Sequence, residues 1–146
     1  MITTITTKRK AGNIAGKYAR YFSDNISLFT TAQKGLKPDA VFDFMSLSGL
    51  PARRVEQILN KTIKTFQSYR EQHTALDPAT SEKLLKLFHL YDKGLPLFGS
   101  SENFNRWMSL PAFGLGGQIP ESMLDTITGI QLVEEELTRI EYGDLA

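Results

Sequence analysis

Hydrophobic residues recur at helical spacing along most of the chain. Near the end, for example, Ile130, Val133, Leu137 and Ile140 would share one face of a helix, while the glutamates at 134–136 would face outward. No stretch alternates with the two-residue period of a strand. The pattern therefore predicts an all-α fold.

Capping and breaking residues divide this pattern into individual helices. Asp24, Thr62 and Thr128 suit the N-cap position, and Gly94 is expected to stop the longest helix. In a short later helix Phe104 and Trp107 are spaced for one side, and we expect Trp107 to lie in the core. The predicted helices lie at 13–22, from Asp24 to Gly35, from Pro38 to Gly49, at 51–59, at 62–72, from Pro78 to Gly94, at 103–108 and from Thr128 onward.

This division predicts an arm and two helical regions. Residues 1–12 show no period and contain Lys8-Arg9-Lys10, so we expect a basic flexible arm. Residues 13–76 form the first helical region. Residues 77–146 form the second, which glycines and prolines break into short pieces beyond Gly94.

The first region contains two short helices joined by a tight turn, which is typical of a helix-turn-helix. The first would span about Pro51–Leu59, and the second, the recognition helix, would run from Thr62 to about Gln72. Gln pairs well with adenine, Arg with guanine, and Lys and Thr with phosphates. An ordinary helical hairpin has the same periodicity, so the pattern leaves both interpretations open. The predicted DNA-binding residues are Lys61, Thr62, Lys64, Thr65, Gln67, Ser68 and Arg70.

Charge divides the chain in the same way. Residues 1–75 carry 12 Lys/Arg and 5 Asp/Glu, whereas residues 76–146 carry 5 and 11, although the whole chain has a net charge of only +1. The basic half favours contact with a polyanion such as nucleic acid. The acidic half would repel the same polyanion, so we expect it to contact a different partner.

Several classes of function find no support in the residues. The chain has no cysteine, and His73 and His89 are not accompanied by further ligands, so we expect no metal and no cofactor. No catalytic set or phosphate-binding loop is present, which argues against an enzyme. No apolar run is long enough for a membrane span, and the absence of cysteine suits a cytoplasmic protein.

The second region resembles a known family. Its motifs are Ser81-Glu82-Lys83-Leu84-Leu85, Leu97-Phe98-Gly99, Asn105-Arg106-Trp107-Met108, Pro111, Leu115-Gly116-Gly117-Gln118-Ile119-Pro120, Leu124-Asp125-Thr126, Gly129, Val133, Leu137 and Arg139-Ile140-Glu141-Tyr142-Gly143. In this order and spacing they resemble the toxin-binding domain of antitoxins of the Xre/MbcA/ParS class. A fainter resemblance to the Xre-type helix-turn-helix of that class extends upstream through Gly35, Gly49-Leu50, Leu59 and Arg70.

The resemblance implies a function that the pattern does not. Antitoxins of this class are dimeric, and each pairs with a toxin encoded beside it, typically a RES-domain enzyme that degrades NAD⁺. The C-terminal region blocks the entrance of the toxin's active site, and the helix-turn-helix represses the shared operon by binding operator DNA. The toxin-binding residues it implies are Arg139, Glu141, Tyr142, Gly143, Asp144, Leu145 and Ala146.

Two features depart from the family pattern. The turn usually holds a glycine and then an apolar residue, whereas here it reads Asn60-Lys61. Asn tolerates the left-handed backbone that glycine would supply, but we expect the lysine to loosen the packing. The recognition helix is also poorer in arginine than usual. Both departures concern DNA binding and not toxin binding. The main alternative function is a dimeric helix-turn-helix transcriptional regulator without a toxin partner, and an enzyme's accessory subunit with no role on DNA is a further one.

Overall fold

A computed structural model describes residues 14–143, which include no strand. Residues 14–18 are helical and continue into a 3₁₀ turn, and two further 3₁₀ turns precede the last helix. The all-α prediction is confirmed. The α-helices are α1 (Asn25–Lys34), α2 (Asp39–Ser48), α3 (Ala52–Leu59), α4 (Ile63–Glu71), α5 (Pro78–Phe98), α6 (Ser101–Met108) and α7 (Ile127–Glu141), and the 3₁₀ turns are Ala19–Tyr21, Phe113–Leu115 and Pro120–Met123.

The predicted boundaries in the first half agree with the structure. The Asp24 carboxylate accepts a hydrogen bond from the Ser27 N–H at 2.7 Å, as an N-cap should. Gly35 (φ 85°) and Gly49 (φ 67°) end α1 and α2 with positive φ, which glycine adopts without strain. The predicted arm at 1–12 lies outside the described residues, as does Asn13, where the first predicted helix begins.

α5 is the central helix of the molecule. It packs against α1 and α2 on the N-terminal side and against α6 and α7 on the C-terminal side. Its side chains are buried in both directions, and they form one hydrophobic core with residues from Ala15 to Leu137. Because α5 belongs to this shared core, the division of the chain at 76/77 stays a prediction. None of the helices in the described range is both long and apolar enough to cross a bilayer.

The prediction that Gly94 ends this helix is wrong. α5 continues to Phe98 and ends at Gly99, which takes the left-handed conformation. Gly94 is instead a contact point, because a Cβ there would come within 2.8 Å of Phe104 Cε2 and closer still to two other ring atoms. The glycine therefore allows α6 to approach α5. Phe104 is fully buried, whereas Trp107, predicted to lie in the core, is only partly buried and packs against it.

The predicted cap of the last helix is wrong by two residues. α7 begins after Thr126, whose hydroxyl accepts the Gly129 N–H at 3.0 Å. Thr126 has the extended backbone that an N-cap requires, whereas Thr128 already lies in the first helical turn. Gly129 lies against the backbone of Met123, where a Cβ would overlap the carbonyl. The helix start is therefore set by this close approach as well as by the cap.

Candidate functional sites

The helix-turn-helix is formed by α3, a tight turn and α4. Asn60 adopts φ 58° and ψ 29°, so it replaces the expected glycine in the left-handed position. Thr62 caps α4 by accepting the Thr65 N–H at 3.2 Å. The Glu56 carboxylate reaches across the turn and accepts the Ile63 N–H at 2.7 Å. Together these bonds fix α4 relative to α3.

One face of α4 is open to solvent. Thr62, Lys64 and Gln67 are exposed, and the last two are three positions apart on the same face. Phe66 is fully buried on the opposite side and holds the helix on the core. The exposed face therefore has the chemistry of a DNA-reading helix, namely a cation, an amide and a hydroxyl near the N-terminus.

The other predicted DNA-binding residues of α4 are partly occupied within the protein. Thr65 and Ser68 are only partly exposed, and their hydroxyls lie within hydrogen-bond distance of Thr62 and Gln72. Arg70 is exposed but pairs with Asp39, with Nε 3.2 Å from Oδ1, and its guanidinium stacks on the ring of Phe42. This pair connects the end of α4 to α2.

Lys61 does not loosen the core, contrary to the prediction. Its Nζ lies 3.1 Å from Asp77 Oδ1 and 3.4 Å from Thr80 Oγ1, so the side chain turns to the start of α5. Partial burial alone would raise the pKa of Asp77, but hydrogen bonds from Thr80 and Lys61 lower it to about 2. Lys61 therefore has a structural partner.

A basic strip extends from the end of α4 along the same side of the molecule. Lys37, Arg70 and His73 line one open depression, and Lys37 with Lys34, Arg20 and Lys17 line the next. Lys37 and Asp39 belong to both, so the depressions adjoin. The lysine and arginine side chains of this strip offer cations for contacts to phosphates, although Lys17 pairs with Asp43 at 3.0 Å and Arg70 pairs with Asp39.

Two cations bind the helix-turn-helix to the C-terminal region. Arg54 of α3 is only 16% exposed, and its guanidinium pairs with Glu121 and Asp125. Burial alone would lower the pKa of Arg54, but hydrogen bonds to these two carboxylates raise it. The Nζ of Lys83 donates to the carbonyls of Ile58 and Asp125.

The predicted toxin-binding residues include the end of α7. Tyr142 is 74% exposed, while Glu141 lies beside Lys93, with Oε2 3.6 Å from Nζ. Gly143 has φ 74°, which turns the chain away from the helix axis. Residues 144–146, which include predicted toxin-binding positions, lie outside the described residues. Tyr142 is therefore the most exposed large side chain at this end of the described chain.

Arg139 pairs with a buried carboxylate, although its own side chain is 41% exposed. The prediction that all three glutamates of 134–136 face outward is wrong for Glu136, which is only 2% exposed. Arg139 Nε donates to Glu136 Oε1 at 3.1 Å, and Arg139 Nη2 donates to the Gly114 carbonyl at 3.4 Å. Glu136 Oε2 has no hydrogen-bond partner among the described residues.

Sequence reasoning missed this residue, although a signal was present. Glu136 follows the buried Val133 by three positions and precedes the half-buried Ile140 by four, the spacing that keeps side chains on one helix face. The Arg139 partner at i+3 was a second signal. No group of three metal-ligating side chains is found in the described residues.

Both parts of the chain match models of known domains. Residues 27–89 match the antitoxin Xre-like helix-turn-helix domain, and residues 93–143 match the antitoxin Xre/MbcA/ParS C-terminal toxin-binding domain. The chain thus has an Xre-like helix-turn-helix domain followed by a C-terminal toxin-binding domain. It belongs to the Xre-type antitoxin family.

Two curated relatives named Antitoxin Xre agree with this family assignment. The Antitoxin Xre of Yersinia enterocolitica serotype O:8 / biotype 1B is 25% identical over 117 residues, which cover 80% of this chain and 79% of the relative. The Antitoxin Xre of Photorhabdus laumondii subsp. laumondii is 38% identical over 64 residues, 43% of each chain.

Proposed function

We propose that this protein is the antitoxin of a type II pair and neutralises a RES-domain, NAD⁺-degrading toxin by blocking the entrance of its active site. The observation that carries the proposal is the toxin-binding domain at 93–143, joined to a helix-turn-helix in the same chain. It acts by occlusion and not by catalysis.

The acidic character of the C-terminal half supports this choice of toxin. A pocket that holds the phosphates of a dinucleotide is itself basic, because the phosphates need cationic partners. Residues 76–146 carry 11 carboxylate side chains against 5 cations, so they complement such a pocket. We assign the contact to Arg139, Glu141, Tyr142, Gly143, Asp144, Leu145 and Ala146, with Tyr142 as the most exposed described member.

Co-expression with the adjacent gene tests the antitoxin function. We expect that gene alone to stop growth and to lower cellular NAD⁺, and this protein to restore both. A chain that ends at Glu141 should fail to restore them, whereas a chain without residues 1–12 should succeed. The chain that ends at Glu141 keeps Ile140, which packs on the core, and Arg139 with its internal hydrogen bonds, so we expect it to fold.

Three outcomes would contradict parts of this proposal. If the adjacent gene alone does not stop growth, the antitoxin function is refuted and a regulator without a toxin partner remains. Toxicity without loss of NAD⁺ would exclude the NAD⁺-degrading class. Full protection by the chain that ends at Glu141 would move the blocking segment elsewhere.

We further propose that the protein, as a homodimer, binds operator DNA and represses its operon. α4 would lie in the major groove with Lys64 and Gln67 at base edges, and the basic strip would follow the phosphate backbone. Thr62, Thr65 and Ser68 would contribute at the groove edge, while Lys61 and Arg70 would have to exchange their internal partners for DNA.

Promoter binding at several salt concentrations tests this part. Replacing Gln67 with Ala should cost about 1–3 kcal/mol of affinity for the operator and relax its sequence preference. Replacing Lys37 with Ala should weaken binding to all sequences and reduce the salt slope by about 1. Arg106→Ala is the control, because Arg106 is an exposed cation outside the strip. Equal losses in all three variants would refute the placement of DNA on α4.

A further inference from the structure

Phe113 protrudes from the toxin-binding domain. It is 97% exposed, more than any other large hydrophobic side chain in the described range. Leu110 and Ile119, on the same loop, are also exposed. Hydrophobic side chains that are gathered on one loop, and not scattered singly, mark a contact surface.

The loop that carries Phe113 is held in one conformation. The Ala112 N–H donates to the Gln118 carbonyl at 3.0 Å, and the Gly117 N–H donates back to the Ala112 carbonyl at 3.0 Å. Gly117 has φ 81°, a conformation that few other residues tolerate. The loop is therefore closed at its base, and Phe113 is the first residue of the 3₁₀ turn that it encloses.

The buried Glu136 packs against the turn that follows Phe113. A Cβ at Gly114 would overlap the Glu136 carboxylate, so only glycine allows the turn to sit this close to α7. Arg139 then donates to both the Glu136 carboxylate and the Gly114 carbonyl. Glu136 and Arg139 thus hold the turn in place, although the Phe113 side chain in this turn stays exposed and buries almost no apolar surface when the protein folds.

The position of the loop indicates which partner contacts it. Phe113 lies within the toxin-binding domain, and its turn packs on α7, the helix whose end we assign to the toxin. A two-fold dimer through this loop would bring two copies of the same protruding surface together, whereas a protruding surface fits a concave partner. The entrance of an enzyme's active site is concave and largely apolar.

We infer that Phe113 is an anchor that inserts into a hydrophobic recess beside the active-site entrance of the cognate toxin, and that Gly114, Glu136 and Arg139 position it. This inference rests on the proposed antitoxin function. Because the loop is fixed before the complex forms, little conformational entropy is lost on binding. Aromatic anchors of this kind dominate the affinity of many protein interfaces.

The experiment measures the affinity of purified variants for the purified product of the adjacent gene by calorimetric titration. Phe113→Ala should raise Kd at least about 30-fold, as expected for truncation of a dominant interface residue. Phe113→Leu should retain part of the affinity. Phe29→Ala is the matched control, since Phe29 is 58% exposed on α1, outside the toxin-binding domain, and it should change Kd less than about 3-fold. Because both rings are exposed, neither alanine variant should lower the melting temperature.

The outcomes separate the inference from the function on which it depends. If the wild-type protein does not bind the adjacent gene's product, both the antitoxin function and the inference fail. If the wild type binds and Phe113→Ala binds equally well, the inference alone fails. If Phe113→Ala leaves Kd unchanged but converts a dimer to a monomer in light scattering, the loop contacts a second copy and the inference is overturned.

Discussion

Replacing Gly94 with Ala tests the central packing contact of the C-terminal half. The new Cβ would lie within 2.8 Å of Phe104 Cε2 and closer still to two other ring atoms. The ring cannot move away easily, because it is fully buried. Tyr91, Phe98 and Trp107 surround it, with centroids 5.1, 5.6 and 6.3 Å away.

The expected magnitude is the difference between two opposing effects. Alanine is favoured over glycine inside a helix by about 1 kcal/mol. Overpacking a filled core costs about 1–3 kcal/mol, and a clash with three atoms of an immobile ring belongs at the upper end. We therefore expect Gly94→Ala to lower the free energy of unfolding by about 2 kcal/mol. The melting temperature should fall by about 8 °C.

Urea unfolding followed by far-UV circular dichroism measures this difference. Gly16→Ala is the matched control, because Gly16 is also helical but a Cβ added there would meet no packing neighbour within 4 Å. The control should be unchanged or slightly more stable. If Gly94→Ala were as stable as the wild type, the close approach of α6 to α5 would be refuted.

Two further predictions concern charged groups, and both are measured by denaturant unfolding. Asp77→Asn keeps an N-capping oxygen but loses the charge paired with Lys61, so it should cost about 0.5–1 kcal/mol at neutral pH. Because folding lowers the pKa of Asp77 to about 2, this stabilisation is fully present above pH 4 (about the pKa of an unfolded Asp) and is lost as the pH falls through about 2; a constant difference would contradict it. Arg54→Ala should cost about 2 kcal/mol, between the values for exposed and buried ion pairs, because the side chain is 16% exposed. The exposed neighbour Arg53→Ala should cost less than about 0.5 kcal/mol, and equal losses would show that the Arg54 pairs are not responsible.

Features that depend on local sequence could be predicted. The caps at Asp24 and Thr62 and the left-handed Asn60 need only neighbouring residues, since a cap bonds to the N–H groups of the next turn. The all-α fold follows from periodicity over a few turns. The motifs between Ser81 and Gly143 identified the antitoxin family because their order and spacing are specific.

Features that depend on distant residues could not be predicted. A glycine at position 94 suggests a helix end from the local sequence. Its actual role, which is to leave room for the ring of Phe104, depends on a residue ten positions further along the chain. Lys61 stands where the family has an apolar residue, so the local sequence alone suggests a lysine misplaced in the core. Its ion-pair partner, Asp77, is identified only by the fold. Glu136 has a charge that favours solvent, and only its contacts with Gly114 and Arg139 explain its burial.

The division of charge is a property of the surface and not of the core. The exposed face of α4 lies on the helix-turn-helix, the basic strip extends from the end of α4 to Lys17, and the Phe113 loop lies on the C-terminal region. Beneath them, Arg54 and Lys83 join α3 to the C-terminal carboxylate and carbonyl groups. Because α5 contributes to the packing of both parts, a destabilising change in one part should lower the stability of the other. If Gly94→Ala weakens the proposed binding to the toxin, loss of folding must therefore be excluded first, whereas the exposed Phe113 can be replaced without this complication.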